Sequence, residues 1–158
     1  MFFFFDLVST EQCQNGGVAL TGTGVNLVAG LAGNYFNVVK QQGIAPTVIP
    51  SESSARRIDS TISFNWTTAS PMPGVHQDSF IVVWTGVIKT PQTARFNLYF
   101  TADDGIRVYF AGEKIIDSWL IQNVRTVQMT NLLLDSSISY DFRVEYFEQD
   151  GSAQVKAE

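Results

Sequence analysis

With 158 residues and 45% apolar side chains, the chain is long enough to bury one sizeable core and short enough to be a single domain. A formal charge of -5 supplies no basic footprint, which excludes a nucleic-acid surface, and a 13% aromatic content with 12 Phe suits strands better than helices. Cys13 is the one cysteine, which excludes a disulfide framework and a thiolate zinc centre.

The apolar cluster at residues 1–5 is interrupted by Asp6 and has no basic residues before it. It is too short for a signal peptide or a membrane span, so no membrane insertion is expected. Residues 1–29 are read as an N-terminal extension able to pack on the domain, with a turn at residues 14–17, and residues 30–158 as the domain itself. Residues 30–37 form a glycine-flanked strand anchored by Tyr35 and Phe36. Pro46 and Pro50 make residues 41–54 a loop. Residues 57–66 read as one strand with Ile58, Ile62, Phe64 and Trp66 on one parity, followed by a Pro/Gly loop over residues 67–78.

Residues 79–90 are strongly β-prone. Phe96, Leu98 and Phe100 then alternate with polar neighbours, as do Ile106, Val108 and Phe110 beyond them. A hairpin turn is expected at residues 111–114, and short strands at residues 114–119 and 124–130. Residues 138–147 alternate again, with Tyr140, Phe142, Val144 and Tyr146 inward and Asp141, Arg143 and Glu145 outward. A second acidic turn spans residues 149–152, and residues 153–158 begin a last strand. No segment holds a helical period beyond two turns. The expected fold is all-β: an antiparallel sandwich or barrel with long loops and little helix.

Between two alternating runs stand Asp103, Asp104 and Gly105. Asp-Gly in that setting is a hairpin signal. Two adjacent carboxylates also repel each other unless protons, donors or a cation offset the charge, and calcium, with its loose oxygen geometry, suits such a pair. The residues by themselves leave both readings open. No catalytic residue emerges. His76, the single histidine, lies in the Pro/Gly loop and reads as solvated, and no G-x-S-x-G motif exists. A glycosidase needs two carboxylates held apart, and Asp103 and Asp104 are neighbours without a partner acid, so an enzyme is not expected. Trp84 and Trp119 lie in apolar runs and read as structural.

Several motifs in order resemble the PA14 domain: GLAGNYF at residues 30–36, WTGVI at 84–88, FNLYFTADDGIRVYFAGEKII at 96–116, DSW at 117–119 and the run 140–151. The resemblance runs from about Gly30 to the C-terminus. It is nearest in motif to the calcium-dependent lectin members of bacterial (RTX-type) and yeast adhesins. In those members a cis-linked Asp-Asp pair and a second loop hold calcium, and the ion coordinates sugar hydroxyls. The resemblance therefore implies that Asp103, Asp104, Gln149 and Gly151 hold Ca2+. It places Asp103, Asp104, Gln149, Asp150 and Ser152 against the ligand. The function so implied is a lectin module of a larger extracellular, cell-surface adhesin. Its partners would be fucose- or glucose-type glycans on a cell or biofilm surface. The alternative is a structural or accessory module of a secreted enzyme or toxin, without sugar affinity of its own.

Overall fold

Period-two burial organises the chain. In the computed structural model, which describes residues 4–6 and 30–158, those residues form eleven strands and no helix. They are β1 (Phe4–Asp6), β2 (Leu31–Asn37), β3 (Ala55–Asp59), β4 (Ser63–Thr67), β5 (Phe80–Lys89) and β6 (Ala94–Asp103). After them come β7 (Gly105–Phe110), β8 (Glu113–Ser118), β9 (Arg125–Leu134), β10 (Tyr140–Glu148) and β11 (Ala153–Ala157). The turn expected at residues 14–17 lies outside the described residues.

Two antiparallel sheets face each other, so the architecture is a sandwich. One runs β3-β2-β5-β10-β7-β8, the other β4-β11-β6-β9. β1 continues the β2 side of β5, pairing Val87 to Lys89 where β2 pairs Phe80 to Thr85. Ile106, Val108 and Phe110 of β7 and Phe142, Val144 and Tyr146 of β10 point inward against Leu98, Phe100 and Ala102 of β6. Each large apolar side chain so buried stabilises the fold by about 1.5–3 kcal/mol. Phe64 stacks on Trp66 at 4.9 Å and on Trp84 at 5.9 Å, so both tryptophans serve the core. A smaller cluster of Phe36, Ile81, Val83 and Phe147 lies apart, covered by Val38, Ala45, Ile49 and Trp119.

Two expectations are corrected. Residues 57–66 are not one strand: β3 and β4 belong to different sheets, and the chain breaks between Asp59 and Ser63. The cause is Asp59, a buried carboxylate bonded to Tyr35 Oη and Trp84 Nε1, which pins the end of β3 in the first sheet. Ile62 then turns into the core on the way across, whereas Ile58 stays 45% exposed. Glu145, on the outward parity of β10, is nevertheless buried, because Arg143 and Arg107 lie against its carboxylate.

β6 and β7 do not pair with each other, so Asp103 and Asp104 form a crossover between sheets and not a hairpin. The register fixes what else gathers there. Ile106 faces Ser118, Ala102 faces Arg125, Phe147 faces Gly105 and Gln154 faces Asp103. Residues 119–124 and 149–152 therefore cross between the sheets at the same end of the sandwich, and β5 starts there opposite Glu148.

Gly105 shows how tightly that end is packed. A Cβ at this position would lie 2.1 Å from the Phe147 ring, which is itself wedged against Trp119 at 4.7 Å. Gly105→Ala is expected to destabilise the protein by about 1–3 kcal/mol, the range for overpacking a core. A denaturant midpoint unchanged from the wild type would contradict this packing.

Candidate functional site

The pair Asp103-Asp104 is joined by a cis peptide bond. Asp104 is buried and Asp103 half-buried. The Asp104 carboxylate accepts one main-chain N–H from each neighbouring crossover: Gln122 N on Oδ1 at 2.9 Å and Gln149 N on Oδ2 at 2.9 Å. The Gln122 side-chain amide donates to the Asp104 carbonyl at 3.0 Å, and Tyr146 Oη donates to the Asp103 carbonyl. Burial pushes the Asp104 carboxyl up, and the two N–H donors pull it partly back. Burial and the adjacent Asp104 push Asp103 up, against an N–H from Val124.

A third acid lies underneath. Glu148 is fully buried, its Oε2 is 3.2 Å from Tyr146 Oη, and its Oε1 has no hydrogen-bond partner among the described residues. Burial first, then the charges of Asp104, Asp103 and Asp78, push its carboxyl up to about 8. No lysine or arginine pairs with Asp103, Asp104 or Glu148 among the described residues. At this end the ion pair among the described residues is Lys40 with Asp150, which leaves Asp103 and Asp104 without a basic partner of their own.

The residues of the second loop stand as follows. Gln149 is buried, and its carbonyl accepts both the N–H and the hydroxyl of Ser79 at 3.1 Å, while its side-chain amide donates to the Gln41 carbonyl at 2.8 Å. Both carbonyl lone pairs are thus used, and the oxygen Gln149 has to offer is Oε1. Asp150 is exposed and ion-paired with Lys40. Gly151, at φ 103°, takes a backbone conformation that suits glycine, and its N–H donates to Asp78 Oδ1 at 3.3 Å. Ser152 is exposed on the turn. The structure thus brings Gln149 onto Asp104 and leaves Asp150 and Ser152 on the rim.

No three His, Cys, Asp or Glu side chains converge with metal-ligand spacing among the described residues. A cation here would rest on the two aspartates plus neutral oxygens. Each Asp104 oxygen accepts one main-chain N–H and keeps further acceptor capacity. That all-oxygen set fits a hard, loosely coordinated ion such as calcium better than magnesium or zinc. His76 is exposed, as a solvated loop histidine should be.

Sequence reasoning missed Gln122, Val124 and Glu148. Glu148 had a signal: it continues the inward parity of Phe142, Val144 and Tyr146, where an acid is out of place. Gln122 and Val124 had none, because they reach the aspartates only once β8 and β9 have been placed in opposite sheets.

The family model for the PA14 domain matches residues 27–158. Anti-sigma-I factor RsgI3 of Acetivibrio thermocellus is 29% identical over 135 residues, covering 85% of this chain and 19% of that protein. A solved anti-sigma factor domain-containing protein from Clostridium clariflavum superposes at TM-score 0.67 with 31% identity, over 82% of this chain and 40% of the other. The PA14 sugar-binding domain of an RTX adhesin superposes at TM-score 0.68 with 18% identity, over 82% and 88%. The chain thus spans about a fifth of the curated relative and two fifths of the first solved one. With its sandwich, its motif order and a family match over most of its length, this chain belongs to the PA14 domain family.

Proposed function

We propose that the chain is a calcium-dependent carbohydrate-binding module, and not an enzyme. The observation that carries the reading is the cluster of Asp103, Asp104 and buried Glu148, none of which pairs with a lysine or arginine among the described residues. When bound, calcium supplies coordination positions that two neighbouring sugar hydroxyls can fill. The protein does the rest. Asp103 and Asp104 present the charge, the N–H groups of Gln122 and Gln149 fix the Asp104 carboxylate, and Gln149 Oε1 adds a neutral oxygen. Asp150 and Ser152 on the exposed turn meet the sugar, and Gly151 lets the turn bend. The similarity in fold to the PA14 sugar-binding domain of an RTX adhesin supports this reading.

Such exchange of water oxygen for sugar oxygen buries little apolar area, so affinity per site should be on the order of millimolar. Fucose- or glucose-type glycans at a cell surface are the ligands we assign, read by an extracellular module of a longer protein. An adhesin would gain avidity from many copies. The higher identity to two anti-sigma factor proteins favours a second context, in which the same site senses an external glycan.

Calorimetry tests the site. Wild-type protein should bind one calcium, and both Asp104→Ala and the milder Asp103→Asn should lose at least about 100-fold in affinity, roughly 2.7 kcal/mol. Calcium at a hundredfold excess over its Kd should stabilise the fold by about 2.7 kcal/mol, and a chelator should reverse that without unfolding the chain. Undiminished calcium affinity in both variants would sink the metal assignment. Calcium binding with no fucose or glucose binding on a glycan array would leave the accessory-module reading instead.

A further inference from the structure

Residues 119–124, which connect β8 to β9, are the third crossover at the Asp103-Asp104 end of the sandwich. At the base, Trp119 Nε1 donates to the Pro46 carbonyl at 2.7 Å, its ring packs edge-on against Phe147, and the Arg107 guanidinium lies 4.5 Å above it. From that anchor the segment is tied to the aspartates by the N–H groups of Gln122 and Val124. The Gln122 side-chain amide bridges the Asp104 carbonyl at 3.0 Å and Ser118 Oγ at 3.1 Å. The remaining large side chains are aliphatic and open to solvent: Leu120 is 58%, Ile121 42% and Val124 50% exposed.

That combination is unusual for a surface loop. Six residues are fixed by the half-buried Trp119 indole and by hydrogen bonds to two carboxylates, yet Leu120, Ile121 and Val124 stay largely open to solvent. Leu120 and Ile121 immediately precede Gln122, whose N–H is bound to the Asp104 carboxylate, so they stand within two residues of whatever occupies Asp103 and Asp104. A sugar ring carries hydroxyls on its edge and C–H groups on its faces, and a deoxy sugar adds a methyl. Hydroxyls directed at the aspartates leave such a hydrocarbon surface for Leu120 and Ile121 to cover.

Resting on the carbohydrate-binding reading above, we propose that this segment sets ligand choice. Gln122 is a positioning residue that holds the main chain of Asp104, and Leu120 with Ile121 is an apolar wall favouring sugars with a hydrocarbon patch, fucose over glucose. The two roles separate experimentally. Gln122→Met keeps side-chain length and the main-chain N–H but loses the amide donor. It should weaken calcium binding about tenfold in calorimetry while leaving the melting temperature in chelator within a few degrees of wild type. Leu120→Ser/Ile121→Ser should leave calcium affinity unchanged, weaken fucose binding five- to tenfold at saturating calcium, and weaken glucose binding less. If wild-type protein binds calcium and both sugars, but the double variant retains the wild-type fucose-to-glucose ratio, the wall is overturned and the site reading stands. Unchanged calcium affinity in Gln122→Met removes the positioning role. Failure of wild-type protein to bind calcium or either sugar would overturn the site reading itself, and this inference with it.

Discussion

Asp59→Ala is expected to lower the stability of the protein by about 3–5 kcal/mol, the range for breaking a buried charged pair by removing one partner. Asp59 is 5% exposed, and its Oδ2 accepts both Tyr35 Oη and Trp84 Nε1 at 2.7 Å, two side chains with no exposure at all. Oδ1 takes Arg57 Nε at 2.5 Å, and the Arg57 guanidinium spans the rings of Tyr35 and Phe64 at 5.0 and 4.9 Å. Truncation to alanine leaves two buried donors without acceptors and one arginine without its anion. Asp59→Asn keeps an oxygen that both ring donors can reach and should cost clearly less. Urea titration with an unchanged m-value is the measurement. A loss below about 1 kcal/mol for the alanine variant would mean that water or a neighbour replaces the carboxylate, and the account of why β3 ends at Asp59 would go with it.

In the presence of a chelator, stability should fall as pH rises from about 4.5 to about 8, and Glu148→Gln should abolish most of that fall. The Glu148 carboxyl is pushed from 4.5 to about 8 by burial and by Asp104, Asp103 and Asp78 around it. A carboxyl that holds its proton longer in the fold than in the unfolded chain stabilises the fold fully below the unfolded pKa. That stabilisation is lost as pH climbs through the folded pKa. Asp103 and Asp104 are displaced in the same direction and add to the slope. The difference between pH 5 and pH 8 should be on the order of 2 kcal/mol. Glutamine keeps the shape without the proton equilibrium, so the variant should be the more stable protein at pH 8. Melting curves at several pH values decide the matter, and parallel profiles for the two proteins would refute it.

The strand pattern was largely legible because inward positions carry Phe, Ile, Val and Tyr at period two, and turns such as Ala111-Gly112, both at positive φ, sit where glycine and small residues mark them. Sheet membership was not. Alternation says which face is buried but not which sheet the strand joins, so residues 57–66 read as one strand when a single buried aspartate divides them between two. The same limit hid part of the site. Asp103 and Asp104 announce themselves as adjacent acids, whereas Gln122 is an ordinary glutamine in an apolar stretch until folding brings it to them. The exposed burial state of Asp150 and the engaged carbonyl of Gln149 likewise depend on partners, Lys40 and Ser79, more than 60 residues away in sequence.

The three crossovers around Asp104 share one dimension. Each must bridge from one sheet to the other, so the distance between the sheets, set by Trp84, Phe100, Val108, Val144 and their neighbours, fixes how far apart Gln122, Asp104 and Gln149 can stand. The thickness of the hydrophobic filling is therefore a gauge block for the ligand site. A repacked core that thins or swells the sandwich retunes the site without touching a residue in it.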